Sequence, residues 1–139
     1  MDRRSLRSSI TALYRSRLID VRDQADGSIK MILSDAGRSY ILQYKLDELT
    51  IPRKSGWDGK WRVVLFDVPE NRRKIRDAFR HHLIRLGFFE LQKSVFVYPY
   101  ECRDEIEFLI EFFHARPYVR FLVAERIDIE LQLRRHFRV

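Results

Sequence analysis

Cysteine is almost absent: the chain of 139 residues has one, Cys102, beside only five glycines and four prolines. A single thiol excludes an internal disulfide framework and fits a reducing compartment, so the cytoplasm is the expected location. No apolar run approaches the roughly 20 residues that a membrane span needs. The opening Met1-Asp2-Arg3-Arg4 leads into a polar, arginine-rich stretch without the apolar centre of a signal peptide. A membrane partner is therefore not expected. Glycine-rich phosphate loops and dinucleotide fingerprints are missing too, and His81, His82, His114 and His136 show no zinc-ligand spacing with Cys102. There is no internal repeat and no low-complexity stretch. Apolar residues, by contrast, make up 45% and aromatics 13%, enough for a packed core.

Charge of one sign dominates. Lys and Arg number 27 against 20 Asp and Glu, a net charge of +7, so the expected partner is an anion. The excess is concentrated in two segments. Residues 1–22 hold Arg3, Arg4, Arg7, Arg15, Arg17 and Arg22 against Asp2 and Asp20, and residues 72–85 hold Arg72, Arg73, Lys74, Arg76, Arg80 and Arg85 against Asp77. Either run alone reads as a solvated helix face. Two of them, rich in guanidinium groups that fork onto phosphate oxygens, point to nucleic acid.

One seam interrupts both helical and strand periodicity. Residues 50–60, Thr-Ile-Pro-Arg-Lys-Ser-Gly-Trp-Asp-Gly-Lys, read as a linker between residues 1–49 and 61–139. Before it, Leu6, Ile10, Leu13 and Leu18 share one side of a helix, while Arg4, Ser8, Thr11 and Arg15 share another. Such a face suits phosphates and base edges. Alternating Ile19 and Val21, then Ile29, Met31 and Leu33, flank an Asp26-Gly27 turn and predict a hairpin. Ser34 offers an N-cap for a further helix, with Tyr40, Ile41 and Tyr44 expected on its buried side.

This helix, hairpin, helix order resembles the back half of a winged-helix DNA-binding domain, as does the Leu-Ser-Asp-Ala-Gly junction at residues 33–37. The resemblance implies a recognition helix at 5–18 and a wing at 19–33. A complete winged helix has further helices before its recognition helix, and little chain precedes this one. The module is thus a partial winged helix, expected over residues 1–49.

After the linker, Trp61 to Val68 is a strand apolar on both faces, and Pro69 stops it. Residues 70–86 form a helix with Ile75, Phe79, Leu83 and Leu86 inward, Arg72, Arg76 and Arg80 outside, and Gly87 ending it. Residues 88–98 are extended, as two short strands or one bent one. A helix at 103–114 buries Ile106, Leu109, Ile110 and Phe113, and a strand follows over 118–127. Residues 130–139 fit a short helix or an edge strand. The class is α+β, and the order β-α-β-β-α-β is that of a ferredoxin-like sandwich. Its sheet has a second face, for which a symmetric partner in a homodimer is the commonest cover.

Val64-Leu65-Phe66-Asp67-Val68-Pro69-Glu70, followed by Arg72-Arg73, resembles the start of the small CRISPR-associated adaptation subunit, Cas-two, and Gly87 followed by Gln92-Lys93-Ser94-Val95-Phe96 matches a second stretch of that family. The Trp57-Asp58-Gly59-Lys60-Trp61-Arg62 lead-in, the Asp-Val-Pro-Glu turn and the preceding partial winged helix are similar to the phenylacetate-operon repressor (PaaX-like) family, whose members join a winged helix to a central Cas-two-like domain. That family's additional C-terminal domain has no counterpart here. The resemblance implies a dimeric DNA-binding transcriptional regulator, with double-stranded DNA contacted by Arg3, Arg4, Arg7, Ser8, Thr11, Arg15, Lys30, Arg72, Arg73, Arg76 and Arg80. Such a binder requires no cofactor.

An enzyme is the alternative. In nuclease-type relatives the aspartate that ends the first strand binds metal, and Asp67 is the matching residue, both catalytic and metal candidate for a Mg²⁺-dependent endonuclease acting on phosphodiesters. One carboxylate per subunit is a thin ligand set, and Asp67 also reads as a strand-ending residue that accepts backbone or arginine hydrogen bonds. Glu70, beyond Pro69, reads as a helix cap. Phe88, Phe89, Phe96 and Tyr98 could stack on bases, although strand aromatics more often fill a core.

Overall fold

The computed structural model describes residues 19–53 and 55–139. The chain divides into two compact units, Met1–Glu48 and Leu49–Val139. The proposed recognition helix, with Arg3, Arg4, Arg7, Ser8, Thr11 and Arg15, lies outside the described residues.

In the first unit, β1 (Ile19–Asp23) and β2 (Ile29–Leu33) pair antiparallel, Ile19 opposite Leu33 and Asp23 opposite Ile29. Asp26 and Gly27 build the turn as expected. Gly27 takes φ +87°, a conformation cheap only for glycine, and the Asp26 carboxylate accepts from the Ser28 amide at 2.9 Å. Helix α1 (Asp35–Asp47) starts at Ser34, whose hydroxyl accepts from the Gly37 amide at 3.0 Å. Its buried side differs from expectation. Tyr40 and Tyr44 are exposed and Ile41 half-buried, whereas Gly37 and Leu46 are buried. Apolar residues at 40, 41, 42, 44 and 46 spread around most of the helix, so their spacing selects no face.

The second unit is a four-stranded antiparallel sheet. Its strands are β3 (Trp61–Phe66), β4 (Phe89–Gln92), β5 (Val95–Tyr98) and β6 (Val119–Ala124), in the order β4-β5-β3-β6. Numbered within this unit, the order is 2-3-1-4, consistent with a ferredoxin-like arrangement. Residues 88–98 therefore form two strands, joined at Lys93 and Ser94, and Ser94 adopts φ +65°. Between them run α2 (Arg73–Leu86), entered through a 3-10 turn at Glu70–Arg72, and α3 (Arg103–Phe112). Gly87 ends α2 in the left-handed region at φ +101°.

Alternation along β3 divides the packing. Val64 and Phe66 face the helices: Phe66 meets Phe79 of α2 edge-on at 5.4 Å and stacks on Phe96 of β5 at 5.7 Å. Phe79, Leu83, Ile106 and Leu109 are fully or almost fully buried there. Trp61 and Val63 face the other way. Here the expected symmetric cover gives way to the chain's own last segment: α4 (Glu130–Phe137) places Leu133 against Trp61, Val63 and Val97. Eight residues cannot span a whole sheet, and Leu122 and Val123 of the edge strand stay 43% and 48% exposed. Among the described residues, no helix is long and apolar enough to cross a membrane.

Candidate nucleic-acid interface

The hairpin of the first unit presents its polar side through register. Pairing from the Asp26-Gly27 turn sets Arg22 directly opposite Lys30, and both are exposed. Like charges opposed on a ribbon disfavour it by a few tenths of a kcal/mol to about 1 kcal/mol, and no ion pair relieves either among the described residues. An anion lying across the ribbon would. Lys30 was legible in sequence as a wing residue; Arg22 was counted only in a basic run, although the turn position already fixes the pairing.

The second basic segment is less uniform. Arg72, Arg73 and Lys74 stand exposed at the entry to α2, around a recess of about 460 Å³ that also takes in Glu70, Asn71 and Ile75. Arg72 and Lys74 have no acidic partner among the described residues. The remaining members are partly neutralised. The Arg76 guanidinium donates to Glu70 at 3.0 Å and lies 3.5 Å from Asp77, and Arg80 donates to Glu90 of β4 at 2.7 Å. Arg73 lies 3.7 Å from Glu70. Hydrogen bonding to Glu70 raises the Arg76 pKa. Glu70 thus serves as a counter-ion and not as a helix cap, because the 3-10 turn places it one turn ahead of α2. These exposed pairs are weak, and phosphates can displace them.

Asp67 sits just past β3, exposed, its amide donating to the Tyr118 carbonyl at 2.8 Å. The expected hydrogen bonds to its carboxylate are not seen among the described residues. Nor do those residues contain any cluster of three or more His, Cys, Asp or Glu able to hold a metal ion. One exposed carboxylate does not fit a Mg²⁺ site within a single subunit. Of the candidate stacking aromatics, Phe88, Phe96 and Tyr98 are buried and Phe89 is half-buried, so they belong to the core. Cys102 is fully buried, and burial pushes its thiol up to about 12, which leaves it inert as a nucleophile.

A polar centre that sequence reading missed lies at the lead-in. Arg62, only 6% exposed in its side chain, donates through Nη1 and Nη2 to the two Asp58 oxygens at 2.8 and 2.6 Å, and through Nη1 to the Pro99 carbonyl at 2.9 Å. Glu101 stands 3.8 Å away. Arg62 holds the Asp58 carboxyl down to about 2. The charged pair four residues apart was visible in sequence, but its burial was not.

The model of the PaaX protein central Cas2-like domain matches residues 54–135. Among solved structures, the uncharacterized protein Rv0674 from Mycobacterium tuberculosis is similar at 22% identity and a TM-score of 0.43, over 98% of this chain and 53% of that one. The chain thus spans about half the length of that protein. No curated protein matches.

Proposed function

Because the chain belongs to the PaaX family through its central Cas2-like domain, we propose that it is a cytoplasmic, DNA-binding transcriptional regulator that dimerises through that domain. The observation that carries the reading is the exposed pair of Arg22 and Lys30, opposed across the hairpin where a wing would meet the sugar-phosphate backbone. The recognition helix supplies base contacts through Ser8 and Thr11, with Arg3, Arg4, Arg7 and Arg15 on phosphates. Arg72, Arg73, Arg76 and Arg80 extend the positive surface of the Cas2-like unit. Twofold symmetry then implies inverted half-sites.

The test is duplex binding by the Arg22→Gln/Lys30→Gln double variant. Two lost phosphate contacts lower the salt slope by about 1.8, at roughly 0.9 per contact, and weaken binding to all sequences alike. Ser8→Ala with Thr11→Ala instead removes sequence preference and leaves general affinity. An unchanged slope in the first variant, or unchanged preference in the second, contradicts the assignment.

The unpartnered carboxylate of Asp67 favours a second reading, an endonuclease or an adaptation-type subunit in which two copies of Asp67 meet across a dimer axis. Mg²⁺-dependent cleavage that disappears in Asp67→Asn supports it. Cleavage that persists comes from elsewhere.

A further inference from the structure

Trp61 and Arg62 are neighbours on β3 and therefore point to opposite faces of the sheet. Each grips the residue four places earlier in the linker. On the helix side, Arg62 holds Asp58 through the forked ion pair described above. On the opposite side, the Trp57 ring packs on the Trp61 ring, centroids 4.6 Å apart, while the Trp57 Nε1 donates to the Lys60 carbonyl at 2.8 Å. The linker end straddles the sheet and is held from both faces.

The two grips differ in what they depend on. Asp58 relies on Arg62, which the loop after β5 supports through Pro99 and Glu101. Trp57 relies on α4. The Arg134 guanidinium lies 5.4 Å over the Trp57 ring, a cation–π contact, and its Nε donates to the Val139 carbonyl at 3.2 Å. Trp61 in turn is enclosed by Leu133 and by Phe137, whose ring is 6.1 Å away. Yet α4 is weakly seated: it has eight residues, and Leu133 is the one fully buried among them, with Leu131 74% exposed. A helix this short has little stability of its own, and its docking surface is small.

We infer that α4 is a latch on the linker: seated, it fixes the chain to the sheet from Trp57 onward; lifted, it frees the Trp57 grip while the sheet remains folded. Anything that competes for the α4 seat, or that pulls on the C-terminal residues, therefore changes how firmly the linker is held.

Trp57 and Trp61 are the two tryptophans of the chain, so fluorescence quenching and the coupled-ring circular dichroism band report the grip directly. Leu133→Ala loosens α4 from within, and Arg134→Gln removes the cation over Trp57 without touching the core. Arg135→Gln, on the next exposed residue, is the control. Hydrogen exchange of α4 and of residues 55–60 should rise together in Leu133→Ala, by about tenfold or more, with β3 and β5 amides protected as in the wild type. In Arg134→Gln, acrylamide quenching should increase and the coupled-ring band weaken, with Arg135→Gln unchanged. Linker exchange that stays at wild-type rates while α4 opens overturns the latch. So does a ring band indifferent to Arg134→Gln, a result that remains readable even if Leu133→Ala fails to fold.

Discussion

Removing the Asp58 carboxylate should harm the Cas2-like unit more than removing its arginine partner. In Asp58→Ala the Arg62 guanidinium, 6% exposed, keeps the Lys60 and Pro99 carbonyls but loses both carboxylate bonds. Its Nε is already buried without a hydrogen-bond partner among the described residues, so a stranded cation has little left to compensate it. Uncompensated buried charge costs about 3–5 kcal/mol when a pair is broken. Asp58 is 48% exposed, so water reaches the gap and about 2–4 kcal/mol is the working range. In Arg62→Met, by contrast, Asp58 turns to solvent and an apolar chain of similar length fills the slot, for about 1–2 kcal/mol. Urea unfolding at neutral pH measures both.

Acid provides an internal check. The Asp58 pKa falls from 3.8 to about 2 on folding, first because of its hydrogen bonds to Arg62. Its contribution is therefore complete above about pH 4 and is lost as the pH drops through the folded value near 2. The stability gap between wild type and Asp58→Ala should narrow over that window. If Arg62→Met proves as damaging as Asp58→Ala, or the gap ignores pH, the guanidinium is not the buried partner that needs compensation.

Other consequences are simpler to test. Cys102 should react with thiol reagents at pH 8 only at the rate of unfolding, because its thiol is buried and its pKa pushed up to about 12; immediate labelling of native protein would refute the burial. Gly87→Ala should cost about 1–2 kcal/mol, since φ +101° is strained for an L-residue and the new methyl would sit 3.4 Å from the Tyr98 ring. Equal midpoints in urea would show that the helix end relaxes. Ser34→Ala should cost the first unit about 1 kcal/mol through the lost cap on the Gly37 amide, read as increased exchange at the start of α1.

Much of this fold is local and so was legible in the sequence. An Asp-Gly turn between alternating runs placed the hairpin, and inward spacing at Phe79 and Leu83 with Gly87 behind them placed α2. Ser34 marked the start of α1. What escaped were relations between distant segments. No local pattern says that Leu133 will reach Trp61, so the second sheet face looked in need of a partner. Nor does spacing reveal that Glu70 and Glu90 meet Arg76 and Arg80, which tempers a row that read as bare positive charge. In α1, apolar residues on nearly every side left its buried face undetermined.

Duplex DNA binding by the wild-type protein, measured at two salt concentrations with a parallel Mg²⁺ lane, tests the proposed regulator most directly. Steeply salt-dependent binding to DNA that remains intact is the expected result, since phosphate contacts release counter-ions. Binding indifferent to salt, or no binding at all, would contradict it and leave a protein-interaction module; loss of the duplex with Mg²⁺ would shift the function to Asp67.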